Sequence, residues 1–456
     1  MAAATLAAEH GARTLIVDEH PIPGGQVYRR PLGDGVPDRG KGSRLRSALR
    51  SSAAEWRGTT RVWSLGGGTL VPPGSPQSPF RLDLLADGTN TSVSSRALIL
   101  CPGTTERVVP FPGWTLPGVI GLAAATILLK ADGVVPGRRV LVAGQGPLLA
   151  AVAAGILAHR GTVAAVIDYS MRGRWWRTLP ALAGRPGLLA RGGGWVARIL
   201  AARVPVLSGY RLLRAEGEEE LRSVVVGPAN GGPERRIDCD ALSVGHGLVP
   251  ATEAASLFRA ACTFVPARGA WVPELDPAQR TTVPFLYVAG DGAGIAGAAA
   301  APISGRIAAL AVLSDLGLSQ SAPGDIESLR RQRQPYLRFG DAMAAMMTPD
   351  PTLYDRIPDD CVICRCEDVT RAEIEAAIAS GAREANQLKQ FTRCGMGPCQ
   401  GRICGETAAS LLARHVGGRV AAGRFNARLP LRPVPLDAIL GDFDYADIPV
   451  PAPAPP

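Results

Sequence analysis

At 456 residues the chain is long enough for two or three domains with cores of their own, and 46% hydrophobic against 20% charged residues sets it among globular chains rather than disordered ones. Its net charge of +9 comes without a long basic run interleaved with aromatics, so no nucleic acid partner is expected; a docking surface for an acidic protein or for lipid headgroups accounts for the charge equally well. No stretch of ~20 uninterrupted apolar residues is present to span a bilayer, and the apolar opening Met1–Ala8 lacks the basic n-region and cleavage site of a signal peptide.

Residues 1–17 read as the end of a helix, a turn at Gly11 and the strand Arg13–Val17. Residues 32–60 give a loop and then a helix. Residues 61–100 give short apolar runs broken by Gly-Gly-Gly, Pro-Pro and Asp-Gly, the pattern of β-hairpins. Arg96–Leu100 runs into Cys101-Pro102-Gly103, and residues 119–130 predict an apolar helix. A second α/β unit follows: strand Arg139–Ala143, the turn Gly144-Gln145-Gly146, a helix to His159, a turn at Gly161, and strand Val163–Ile167 closing at Asp168. Residues 171–205 are basic, with Trp175 and Trp176 as a candidate partner interface, and residues 206–245 return to short strands. Phe285–Ala289 is a buried strand, followed by Gly290-Asp291 and a small-residue helix Gly292–Ala301. Residues 317–360 are a connector rich in charge and Pro, 361–417 a compact cysteine module, and the tail after Asp437 is acidic and then Pro/Ala-rich.

Two of these features carry nucleotide chemistry. Leu15-Ile16-Val17 delivers Asp18 and Glu19 at a strand end, where an acid can accept hydrogen bonds from an adenosine ribose. The glycines of Pro23-Gly24-Gly25-Gln26 let backbone approach a dinucleotide. The later strand presents Gly290-Asp291 at its C-terminal edge, where α/β sheets hold ligands, and the helix after it would aim its N-terminus at a pyrophosphate or flavin ring. A surface turn and a tight strand-to-helix turn are the plain structural readings of the same residues. In the second unit, Leu149 stands where a third glycine would allow close helix–strand packing, while Asp168 lies about 20 residues on, at the place of a ribose acid. Whether this unit takes NAD(P) stays open at this point.

Together with Cys101-Pro102-Gly103, these features resemble the two-dinucleotide-binding-domain flavoproteins, which include the glutathione- and thioredoxin-reductase-like enzymes. The resemblance implies an α/β fold of two Rossmann-like dinucleotide-binding domains. It implies FAD with its adenosine ribose at Asp18 or Glu19 and its ribityl chain at Asp291, lined by Gly24, Gly25, Gln26, Gly103 and Gly290. It also implies an opening strand and a Gly-x-Gly-x-x-Gly loop for the FAD pyrophosphate. This sequence starts at what resembles the helix after that loop. The first domain is therefore expected to be incomplete as written, through an internal start or a truncation, and a protein made from it to bind FAD weakly or not at all. Without a Cys-x-x-x-x-Cys pair near these motifs, disulfide-reductase chemistry is not expected.

Cys361-Val-Ile-Cys364-Arg-Cys366 and Cys394-Gly-Met-Gly-Pro-Cys399-Gln-Gly-Arg-Ile-Cys404 place six of the nine cysteines within residues 361–404. Such clustering without a secretion signal points to metal rather than disulfides, because thiolates from two segments can ligate zinc or an iron–sulfur cluster. Thr370-Arg-Ala-Glu373 is a capping box opening a helix with Ile374 and Ile378 on one face and Gly381 as its stop. A second helix, Glu384–Thr392, would bury Leu388 and Phe391. A third, Gln400–Val416, would turn Leu411 and Leu412 inward and set Cys399 at a helix N-terminus, where dipole and free amides favour a thiolate. The module resembles the bacterioferritin-associated-ferredoxin type of small helical 2Fe-2S domain. That resemblance implies Cys364, Cys366 and Cys399 as ligands, Cys404 in preference to Cys394 as the fourth, and Cys361 as a spectator; zinc stays as the alternative.

A flavoprotein of this kind fused to this module resembles the A or α subunits of bacterial opine oxidases, D-hydroxyproline dehydrogenases and hydrogen cyanide synthases. The resemblance implies an electron-transfer subunit working with a FAD-containing amine-oxidase-like subunit, which oxidises a carbon–nitrogen bond, and with a small ferredoxin-like subunit. Electrons would pass to a respiratory acceptor, in the cytoplasm or with the complex peripheral on the inner membrane. The expected division is 1–118 and 240–316 for the FAD domain, 119–239 for the second dinucleotide-type domain, 317–360 for the connector, 361–418 for the cluster domain and 419–456 for the tail. No acid–base or nucleophile arrangement appears, and His10, His20, His159, His246 and His415 are scattered. The alternatives are a self-contained NAD(P)H-dependent FAD reductase using Gly144, Gly146 and Asp168, and a non-catalytic scaffold that carries a cluster.

Overall fold

The computed structural model describes residues 1–32, 40–67, 80–170, 185–318 and 323–440. The first unit runs α1 (Ala2–Glu9), β1 (Leu15–Val17), α2 (Lys41–Ser51), β2 (Glu55–Arg57), β3 (Arg61–Gly67), β4 (Phe80–Ala86), β5 (Thr89–Ser95) and β6 (Leu98–Leu100). β1 lies parallel to β2, and its three apolar side chains are half-buried. β3, β4 and β5 form an antiparallel sheet. Along β4, Phe80, Leu82 and Leu84 are buried while Arg81 faces water, the period-2 alternation of a sheet with one covered face.

The second unit runs β7 (Thr104–Glu106), β8 (Val119–Gly121), α3 (Leu122–Ile127), β9 (Arg139–Gly144), α4 (Pro147–Ala158), β10 (Thr162–Asp168), α5 (Pro186–Ala201), β11 (Val206–Ser208), β12 (Tyr210–Glu216), β13 (Ser223–Pro228), β14 (Arg235–Asp238), β15 (Ala241–Gly245) and β16 (Leu248–Pro250). Five of these strands form a parallel sheet in the order β11-β10-β9-β15-β8. In β9 every residue but Arg139 is buried, as both faces of the sheet are covered. Two expectations need correction. The stretch 119–130 opens as a strand, because Val119 and Ile120 extend the sheet beside β15. Residues 241–245, assigned from the sequence to the first unit, pair with β9 and β8 inside the second sheet; their apolar run fits either sheet, and only register decides. β7 and β16 pair with each other and join the two units.

The chain returns to the first unit through α6 (Glu253–Leu257), β17 (Cys262–Val265), β18 (Ala270–Pro273) and β19 (Leu286–Val288), which lies parallel to β6. The helix expected over Gly292–Ala301 does not form. The chain bends at Gly294 and Gly297, with φ of 114° and 84°, and the Asp291 carboxylate accepts the amides of Ala296 and Gly297 at 3.2 and 2.9 Å. Glycine favours such bends over helix, and α7 (Ala301–Asp315) begins only after them. The connector is largely one helix, α8 (Pro323–Met347), followed by α9 (Thr352–Asp355). Among the described residues no helix is long and apolar enough to cross a membrane.

The cysteine module runs β20 (Val362–Cys364), β21 (Val369–Thr370), α10 (Arg371–Ala379), α11 (Ala385–Thr392), α12 (Gly405–Ala413) and α13 (Arg419–Ala422). The capping box forms, with Thr370 Oγ1 accepting the Glu373 amide and Glu373 accepting the Thr370 amide. Two further corrections arise here. Gln400 and Gly401 take positive φ, so α12 starts at Gly405 and Cys404, not Cys399, is its N-cap. Phe391 is 56% exposed although Leu388 is buried. The chain after α13 turns back across the first unit: Leu431 joins that core, and its amide donates to the Trp63 carbonyl at 2.6 Å. Trp175, Trp176 and the end of the tail lie outside the described residues.

The module and the second sheet share one apolar core, in which Ile363, Leu388 and Leu411 pack with Leu141, Ala143 and Ile167. Trp114 Nε1 crosses that junction and donates to the Val362 carbonyl at 2.7 Å. Trp114→Phe keeps an aromatic six-membered ring but removes this donor and the rest of the indole, and is expected to cost at least about 1–3 kcal/mol in denaturant unfolding; an unchanged midpoint would contradict this role.

Candidate functional site

The sulfur centre is built by two arms. The hairpin between β20 and β21, tightened by Asp368 at φ 50°, carries Cys364 and Cys366. The loop between α11 and α12 carries Cys394, Cys399 and Cys404. The sulfurs of Cys364, Cys394 and Cys404, all buried, lie within 4.8 Å of one another. Cys366 and Cys399 contact each other, and the Cys399 amide donates to the Cys366 sulfur. A Cβ at Gly397 would collide with Cys366, so glycine in Cys-Gly-Met-Gly-Pro-Cys is what lets the arms close. The thiols of Cys394 and Cys404 donate to the Cys364 sulfur, and the amides of Gly395 and Glu367 add to them, which pulls its pKa far down. Burial instead pushes the Cys361 thiol up to about 12, and Cys361 stands outside the buried trio.

The donor set fits a thiophilic metal centre: closely set cysteine sulfurs, backbone amides aimed at one of them, and the Lys389 ammonium near Cys394 and Cys404. The structure thus gathers Cys364 and Cys404 with Cys394, which the sequence reading ranked behind Cys404, and sets Cys366 against Cys399. Helix boundaries alone could not place Cys394, because Arg393 takes a left-handed turn (φ 63°) that swings it inward.

The flavin-type residues lie at the strand ends of the first unit. Asp18, half-buried, accepts the His20 amide at 2.9 Å, and burial is the main cause that raises its pKa. Glu19 is exposed and reaches Arg432 at 3.4 Å and Arg61 at 3.7 Å. Gly24 and Gly25 both take positive φ, and the carbonyl of Gln26 accepts Lys130 Nζ. Gly103 and Gly290 border the same turn, since Gly292 packs on Pro102 and near the Gly103 carbonyl.

At the second unit the turn Gly144-Gln145-Gly146 is filled by the chain itself. Gln145 Nε2 donates to the Met347 carbonyl at 2.7 Å. A Cβ at Gly146 would meet Met347 Cγ at 2.6 Å, and one at Gly247 would meet the Met347 carbonyl oxygen at 2.7 Å. Asp168 accepts the Ser170 amide and hydroxyl at 2.9 and 2.6 Å. His246 is buried, and its Nδ1 accepts the Val109 amide at 3.3 Å; burial and Arg107 push it down to about 3, a neutral structural imidazole.

Sequence reasoning missed Glu106. It accepts the Ala123 amide with both oxygens at 3.2 Å at the start of α3, and a Cβ at Gly121 would overlap it. No local signal in the sequence marks it, because the glycines that approach it, Gly121 and Gly245, lie on other strands.

Residues 1–308 match the model of the pyridine nucleotide-disulphide oxidoreductase family, and residues 362–414 match that of the BFD-like 2Fe-2S binding domain. The A subunit of opine oxidase from Agrobacterium tumefaciens (strain Ach5) is 35% identical, spanning 96% of this chain and 88% of its own. Hydrogen cyanide synthase subunit HcnB of Pseudomonas protegens is 33% identical, spanning 96% of this chain and 94% of its own. The solved L-proline dehydrogenase from P. horikoshii superposes with a TM-score of 0.70 at 18% identity, over 96% of this chain and 76% of that chain, a likeness of fold.

Burial pushes the Glu106 carboxyl up from 4.5 to about 7, against the helix amides that favour its charged form. A folded value above the unfolded one means the stabilising proton is held below pH 4.5 and lost as pH rises toward 7. Denaturant unfolding of the wild type is expected to weaken across that window by on the order of 2 kcal/mol, and Glu106→Gln to flatten the slope. Equal slopes in the two proteins would contradict it.

Proposed function

The chain belongs to the pyridine nucleotide-disulphide oxidoreductase family and to the group of full-length relatives that includes HcnB and the A subunit of opine oxidase, and from that premise we propose that it is the electron-transfer flavoprotein and iron–sulfur subunit of a multi-subunit dehydrogenase that oxidises an amino, imino or opine substrate at a carbon–nitrogen bond. The observation that carries this reading is the sulfur centre set into the core of a nucleotide-type sheet. Cys364, Cys366, Cys399 and Cys404 would hold a 2Fe-2S cluster, two from each arm, with Cys394 beside them. Such a cluster takes up and gives back single electrons. Asp18, Gly24, Gly25, Gln26, Gly103, Gly290 and Asp291 would hold FAD. Of the two candidate acids Asp18 is the ribose partner, because Glu19 is engaged by Arg61 and Arg432.

Relatives are named as subunits of larger enzymes, which supports partner subunits for this chain: a FAD-containing amine-oxidase-like subunit for the bond cleavage and a small ferredoxin-like subunit. The groups of this chain serve that division by binding and by excluding water. The buried core around Cys364 and Cys404 keeps solvent from those two sulfurs, while Cys366 is exposed. The reading as a self-contained NAD(P)H reductase is disfavoured by Met347, which occupies the turn that would receive a pyrophosphate.

Anaerobically prepared chain is expected to contain two irons and two acid-labile sulfides, the content of a 2Fe-2S cluster. Cys404→Ser is expected to lose most of that iron, and Cys394→Ser or Cys361→Ser to keep it; iron lost with Cys394→Ser but retained with Cys404→Ser would reverse the ligand assignment. With FAD supplied in excess, NADH is expected neither to bind the chain nor to bleach the flavin in anaerobic titration, and stoichiometric binding with bleaching would favour the reductase reading.

A further inference from the structure

A cavity of about 470 Å³ lies between α8 and the Gly290–Ala296 turn. Of the residues assigned above to FAD, only Gly290 touches it. Its polar lining includes Arg330, Arg331, Arg333 and Glu327 on α8, together with Ser304 and Gln279. Arg330 is matched by Glu327, to which it donates at 2.7 Å. Arg333 is not matched: Nη1 reaches Ser304 Oγ only at 3.4 Å, and its buried Nε has no hydrogen-bond partner. Among the described residues, neither Arg331 nor Arg333 has a carboxylate in an ion pair. Burial lowers the Arg333 pKa, and Arg330 lowers it further. A half-buried guanidinium left with an idle donor is costly, and an anion relieves that cost. Asp276, also on the wall, is already committed to the amides of Ala278 and Arg280 and to the Arg280 side chain.

The lining also has apolar members, Pro273, Leu275 and Pro277, and Leu337 one turn after Arg333 on α8. A volume of this size exceeds that of a bare ion and falls in the range of small-molecule sites. Two guanidinium groups without a carboxylate partner in the lining match a dianion better than a single carboxylate, and the apolar residues beside them ask for an organic body. We infer that this cavity is a binding site for a phosphate monoester, its phosphate held by Arg333 and Arg331 with Ser304 and Gln279 as neutral partners. The assignment stands apart from the flavin and cluster readings and survives the failure of either.

The test is isothermal titration of the full-length chain with inorganic phosphate, glycerol 3-phosphate and AMP. Saturable binding at one site per chain is expected, tighter for an ester than for inorganic phosphate. Arg333→Gln should weaken the ester by about tenfold or more and Arg333→Lys by less. Arg331→Gln, an exposed change at the rim, should weaken it several-fold with an unchanged thermal midpoint, and decides the matter if the Arg333 variants fail to fold. Absence of saturable binding for all three probes, equal affinity for inorganic phosphate and the esters, or wild-type affinity in both Gln variants would overturn the inference.

Discussion

One apolar core ties the cysteine module to the second parallel sheet, and the rest of the arrangement depends on it. Ile363 and Cys364 on the hairpin and Leu411 and Leu412 on α12 pack into the same cluster as Leu141, Ala143 and Ile167 of the sheet. Apolar burial of this kind is non-directional, so it does not by itself fix register. Polar ties do: Trp114 donates to the Val362 carbonyl, and Thr407 Oγ1 donates to the Val108 carbonyl at 2.7 Å. Thr407 lies on α12 three residues after Cys404, so one hydrogen bond sets the orientation of the helix that the cysteine caps. The sulfurs are thereby held against a rigid sheet rather than on a loose appendage.

The connector has a second consequence. α8 runs from the first unit toward the second and ends with Met347 in the Gly144–Gly146 turn. Gly340 on the same helix approaches the Ile295 carbonyl, and Arg268 pairs with Asp341 at 2.5 Å. The helix is therefore pinned to the turn after Asp291 and to the second unit at once. The Gly144–Gly146 turn of the second unit thus receives a residue of the connector. The residues after α13 close the assembly from the other side: Phe425 packs at Gly395, Gly401 and Gly405, and Arg402 donates to the Leu431 carbonyl at 2.6 Å.

Much of this was legible in the sequence where local chemistry decides. The capping box at Thr370 and Glu373 formed as read, because it involves four consecutive residues and no distant partner. The cysteine clustering announced a metal-type site for the same reason. The strand and turn around Gly144 were also readable, but their use was not, since nothing in Gly-Gln-Gly signals a methionine about 200 residues on in its place. Expectations failed where a glycine could go either way. The run after Asp291 has helical composition, yet Gly294 and Gly297 bend it; Gln400 and Gly401 delay α12 and hand the cap from Cys399 to Cys404. Strand 241–245 went to the other sheet because an apolar run does not name its neighbour. Glu106 was invisible because its burial depends on Gly121 and Gly245 approaching from separate strands.

The account stands or falls on electrons from substrate reaching the sulfur centre. Freeze-quench electron paramagnetic resonance on the complex, reconstituted with its partner subunits and mixed anaerobically with a turned-over amino or imino acid, reads this directly. The account predicts a reduced 2Fe-2S signal that rises within one turnover and is abolished by Cys364→Ser. A complex that turns over at full rate while its cluster stays oxidised, or while this chain holds no iron, would contradict it.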